Sequence, residues 1–90
     1  MKKNHLTCDK ETCTNIHHGL GNVICQNKFS ANDFNGAWDF VMKITMDPNS
    51  TIGTHQHDDD EEMYIILSGT GEMTLDDSTF SVKTGDMIVN

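Results

Sequence analysis

His55-Gln56-His57-Asp58-Asp59-Asp60-Glu61-Glu62-Met63-Tyr64-Ile65-Ile66-Leu67-Ser68-Gly69 is the stretch on which the reading of this chain turns. A strand sends residues i and i+2 to the same face, so His55 and His57 are expected side by side. Each can give one ring nitrogen to the same metal ion. A carboxylate would complete a face of two imidazoles and one carboxylate, with the other coordination positions open. Glu61 and Glu62 both offer one. If Glu62 points inward, Tyr64 and Ile66 go with it; if Glu61 does, Met63, Ile65 and Leu67 do. Both sets are largely apolar, so this strand is expected to be buried on both sides, and alternation leaves the choice of carboxylate open.

Outward from this stretch the chain alternates in short runs. Strands are expected over 23–28, 37–46, 51–57, 62–67, 71–75, 79–83 and 87–89. Asp47-Pro48-Asn49-Ser50, Asp76-Asp77-Ser78 and Thr84-Gly85-Asp86 supply turns between them, with Pro48 pre-set for the second turn position. Trp38, Phe40, Met42, Ile44 and Met46 share one face and are expected to pack in the core. No helical period of useful length is present. Short strands at this spacing predict an all-β sandwich or barrel, with residues 1–20 a polar tail and 21–90 a single β domain.

The chain has 90 residues, which bounds it to one domain with a small core. Fourteen acids face six basic residues, all lysine, for a net charge of −8. Phosphate neutralisation needs a basic face, so nucleic acid is excluded as a partner, and anionic membrane surfaces are disfavoured for the same reason. No apolar run approaches the ~18 residues that span a bilayer. Met1-Lys2-Lys3 is followed by a polar stretch rather than the apolar segment of a secretory signal, so a cytoplasmic location is expected. The odd count of cysteines, Cys8, Cys13 and Cys25, fits free thiols in a reducing compartment. A zinc site can be drawn from Cys8 and Cys13 with His5, His17 and His18. The spacing is loose, though, and no second cysteine pair follows, so these read as incidental groups on a polar tail. Cys25, in a strand-like run, reads as a small buried hydrophobe.

The central stretch resembles the first motif of the cupin superfamily, written as Gly, five residues, His-x-His, three or four residues, Glu, six residues, Gly. Here His55-x-His57 is followed by four residues, Glu62, six residues and Gly69. The resemblance therefore selects Glu62 over Glu61. The leading Gly falls on Asn49, and Asn is the next-best residue for a left-handed conformation. Ser68-Gly69-Thr70-Gly71 resembles the hairpin that follows the motif, and Gly85-Asp86 the opening of the family's second motif. That motif continues to a Pro-x-Gly and a fourth ligand, a His; the chain stops at Asn90, one residue before the Pro. The resemblance covers roughly residues 37–90.

It implies a jelly-roll β-barrel, incomplete or completed by a partner chain, that forms a homodimer. It also implies a divalent metal ion (Fe, Mn, Ni or Zn) held by His55, His57 and Glu62. Taken alone, five consecutive acids read as a solvated loop. Two functions follow. One is a metal-dependent enzyme of oxygenase or isomerase type acting on a small molecule, with Tyr64 a candidate catalytic hydrogen-bond donor. The other is a non-enzymatic module binding a small ligand or metal, or an inactive fragment of a longer cupin. The absence of arginine weighs against a strongly anionic substrate such as a sugar phosphate. Because a protonated imidazole cannot ligate, cation binding is expected to weaken as pH falls from 8 to 6. A Mn(II) titration at the two pH values checks this, and equal affinities would contradict it.

Overall fold

The computed structural model describes residues 2–7, 11–14, 19–53 and 61–90, with the backbone alone at 11–14. The chain divides into two compact units, Met1–Thr54 and His55–Asn90. Seven strands are described, with no α-helix among these residues and none long and apolar enough to cross a membrane.

In the first unit, β1 (Glu11–Thr14), β2 (Asn22–Ser30) and β3 (Phe40–Met46) form an antiparallel sheet in that order. The middle strand β2 holds the core, with Val23 fully buried and Cys25 buried as the small hydrophobe expected. Past Cys25 the buried positions change parity to Gln26 and Lys28. The pairing with β3 shifts register between Asn27 and Phe29, which makes Lys28 the extra residue of a bulge. Its buried ammonium donates to the His5 carbonyl at 2.5 Å. β1 was not foreseen. Glu11-Thr12-Cys13-Thr14 carries no apolar alternation and joins the sheet through its backbone.

Between β2 and β3, Ala31–Asp33 make a 3-10 turn, entered where the Ser30 amide donates to the Asp33 carboxylate at 3.0 Å. Phe34 lies edge-on to Phe29, with centroids 5.9 Å apart, and stacks on Trp38 at 6.0 Å. This corrects the core role expected of Trp38, which is 62% exposed. Phe40, Met42, Ile44 and Met46 are also exposed over two fifths or more of their surface. Alternation identifies which residues share a face, not whether a second layer covers that face. β3 is an edge strand, paired with β2 alone among the described residues.

After β3, Asp47-Pro48-Asn49-Ser50 closes as expected. The Ser50 amide donates to the Asp47 carbonyl at 3.1 Å, and Asn49 sits at φ +64°. Pro second and a left-handed residue third are the features of a type II turn. No strand follows directly. Thr51 ties back to Leu20, its amide to the Leu20 carbonyl and its hydroxyl to the Leu20 amide, both at 2.7 Å. Ile52 and Gly53 are likewise outside any strand, and the rest of the expected strand at 51–57 lies outside the described residues.

In the second unit, β4 (Met63–Ile65) pairs with β7 (Met87–Val89), and β5 (Thr70–Leu75) with β6 (Ser78–Lys83), all antiparallel. Asp76 and Asp77 alone join β5 to β6, with Asp76 left-handed at φ +52°. Thr74 and Thr79 share a hydroxyl–hydroxyl bond of 2.8 Å across that hairpin. Two turn glycines, Gly69 and Gly85, both at φ +92°, connect the ribbons. Thr84 donates from its amide to the Gly69 carbonyl and accepts the Gly69 amide at its hydroxyl. The Gly85 amide donates to the Ile66 carbonyl at 2.8 Å, and the Ile66 amide to the Asp86 carbonyl at 2.9 Å. Thr84, the residue before the Gly-Asp that opens the second motif, thus bonds the glycine that ends the first, while the Gly-Asp itself bonds Ile66, three residues before that glycine.

This is an all-β fold of cupin type. Its described strands lie in one three-stranded and two two-stranded sheets, and no ladder among the described residues closes them into a barrel.

Candidate metal centre

Glu62 immediately precedes β4, and Asn90, the residue after β7, clamps its backbone. The Glu62 amide donates to the Asn90 carbonyl at 3.0 Å, and the Asn90 amide to the Glu62 carbonyl at 2.9 Å. Exposure then alternates along the strand. Glu62, Tyr64 and Ile66 are half-buried, whereas Glu61, Met63, Ile65 and Leu67 are exposed. The inner-face question that alternation left open resolves to the Glu62 side. The expected burial on both sides is corrected, since Met63, Ile65 and Leu67 are each exposed over half their surface or more.

On the inner side the Tyr64 hydroxyl donates to Glu62 Oε2. Burial pushes the Tyr64 phenol up to about 12. The hydrogen bond to Glu62 and the charge of that carboxylate add to the rise, and the Asn90 side chain opposes it. Tyr64 is the chain's one tyrosine, so its titration can be followed without overlap. The phenolate absorbance of the native protein is expected to rise with a midpoint near pH 12, and near pH 10 in denaturant. The unfolded phenol ionises first, so the stability it contributes is full below pH 10 and lost as pH rises from 10 to 12. Coincident midpoints for native and denatured protein would contradict the contact with Glu62.

His55 and His57 lie outside the described residues, as do Cys8, His17 and His18, and of Cys13 the backbone alone is described. Among the described residues no group of three metal-type side chains converges. Glu62 is therefore the member of the candidate triad with a described position, and it stands with Tyr64 and Asn90. Sequence reasoning had Tyr64 but missed Asn90, whose partnership with Glu62 runs between backbones and leaves no mark on residue type. The donor set fits a divalent cation. Two imidazoles and a carboxylate suit first-row metals, and a ligating carboxylate is ordinarily itself hydrogen-bonded, as Glu62 is.

Residues 42–89, just over half of the chain, match the cupin domain family, and the chain belongs to that family. An oxalate-binding protein of Thermotoga maritima is 26% identical over 77 residues, 86% of this chain and 64% of the relative. An uncharacterized protein of Methanocaldococcus jannaschii is 56% identical over 34 residues, 38% of this chain and 27% of the relative. The chain thus spans less than two thirds of the length of either curated relative. No solved structure matches it significantly.

Proposed function

We propose that this cupin domain holds one divalent cation through His55, His57 and Glu62 and uses it to bind a small chelating acid of the oxalate kind. The observation that carries this is the spacing His55-x-His57, four residues, Glu62, six residues, Gly69 within a cupin domain match, with Glu62 on the half-buried face beside β4. The oxalate-binding relative supports the ligand class. A chain of net charge −8 with no arginine repels a dianion, so the bound cation is what would admit this ligand. A bound cation supplies positive charge that neutralises and polarises ligand oxygens. The chain's own part is to hold the carboxylate in place and to leave coordination positions to the ligand. The odd count of three cysteines suits a reducing compartment, and we place the protein in the cytoplasm. The exposed apolar strands favour a homodimer, which light scattering would test.

The test is a calorimetric titration of oxalate into protein with and without one equivalent of Mn(II). Binding in the first case alone is expected. Equal binding in both, or none in either, overturns the reading. A second reading, a metal-dependent enzyme acting on a small molecule, rests on the phenol of Tyr64 next to Glu62. Conversion of a bound acid by the Mn(II)- or Fe(II)-loaded protein would establish it.

A further inference from the structure

Three residues of the second unit, Glu62, Tyr64 and Asn90, meet in a line, and Asn90 lies beyond the family match. Asn90, the residue after β7, pairs with Glu62 through both of its backbone groups, which places its side chain level with the face that Glu62 and Tyr64 share. Tyr64 follows Glu62 by two residues and so stands on that same face. By that register the Asn90 side chain stands on the same face as the phenol, and the phenol hydrogen is committed to Glu62 Oε2. A glutamate has three side-chain torsions, and a half-buried one at a strand end has many orientations to choose from. The phenol selects one of them.

We infer that Tyr64 is the positioning residue of the cation site: backed by Asn90, it donates to Glu62 and fixes the orientation in which that carboxylate ligates. This rests on the reading of His55, His57 and Glu62 as the ligands. Tyr64 acts through Glu62. A tyrosine that merely packs would be replaced by phenylalanine at no cost to the site, since the two rings fill the same space.

The experiment is a Mn(II) titration of the full chain as wild type, Tyr64→Phe, Asn90→Ala and His55→Ala, with the visible spectrum of the Co(II)-loaded forms recorded beside it. Loss of a partner that orients a ligand ordinarily costs 10–100-fold in metal affinity. Tyr64→Phe is expected to weaken Mn(II) binding by about that factor, with stoichiometry retained and the Co(II) ligand-field bands shifted. Asn90→Ala, which acts one step further out, is expected to shift affinity the same way by about tenfold or less. Wild-type affinity and an unchanged Co(II) spectrum in Tyr64→Phe overturn the positioning role. If Tyr64→Phe does not melt cooperatively, Asn90→Ala carries the test, and unchanged affinity and spectrum there overturn it. His55→Ala separates the two claims. If it binds Mn(II) like wild type, the ligand assignment itself fails. If it loses the ion while Tyr64→Phe keeps full affinity, the ligands stand and the positioning role falls.

Discussion

Replacing both His55 and His57 by alanine is expected to take the purified protein from about one equivalent of divalent cation per chain to none. Outer partners of a metal ligand alone are worth 10–100-fold in affinity, so each imidazole removed should cost more than ~100-fold, and both together more than ~10,000-fold. A carboxylate left by itself, even beside four neighbouring acids, holds a first-row cation weakly and with little selectivity. Elemental analysis after exhaustive dialysis, with a Mn(II) titration of the dialysed protein, makes the measurement. Full occupancy in the double variant would rule out the imidazoles as ligands. The carboxylate is tested in the same series. Glu62→Gln keeps an acceptor for Tyr64 but removes the charge, and should weaken binding strongly. Glu61→Gln, at an exposed position, should leave binding unchanged. Equal losses in the two would contradict the assignment of Glu62.

The second large effect concerns stability. Gly19 is buried where the chain enters β2, and a methyl group there would run into the Thr51 carbonyl oxygen and come within 2.7 Å of both the Thr51 carbonyl carbon and the Gly53 nitrogen. Those are backbone atoms, and Thr51 is pinned to Leu20 by two hydrogen bonds of 2.7 Å, so it has no room to withdraw. Overpacking of this kind costs about 3 kcal/mol. A domain of this length has roughly 5–13 kcal/mol in total. Gly19→Ala should therefore lower Tm by about 15 °C. Gly36→Ala is the control, since nothing lies within 4 Å of its added methyl and its backbone is not left-handed. A Gly19→Ala protein melting with wild type would mean that the Leu20–Thr51 tie is looser than described.

Much of the fold was legible because strands and turns announce themselves locally. β2, β3, β5, β6 and β7 fall where alternation put them, and the turn at Pro48 closes with Asn49 left-handed, as its place in the motif required. What escaped is decided at longer range. β1 has no apolar face to betray it and exists through pairing with β2. The exposure of Trp38, and of Met63, Ile65 and Leu67, depends on whether another layer arrives, which no period of two encodes. The site divides in the same way. Residue type and spacing offer His55 and His57 with either Glu61 or Glu62, and the resemblance to the cupin motif selects Glu62. That Glu62 rather than Glu61 lies on the half-buried face needed burial, because both sides of β4 carry apolar residues. The role of Asn90 needed the β4–β7 register.

The division of the chain between Thr54 and His55 has a thermodynamic consequence. All three proposed donors fall in the second unit, which has 36 residues and, among those described, Val82 as its one buried apolar side chain. Units below about 40 residues ordinarily need a staple, and a metal ion is one of the few available. A cation at 100 times its dissociation constant contributes about 2.7 kcal/mol to the state that binds it. In a unit this thinly cored, the ion would then be a clasp as much as a docking point. A chelator would loosen the second unit while the first, organised around Val23, kept its structure.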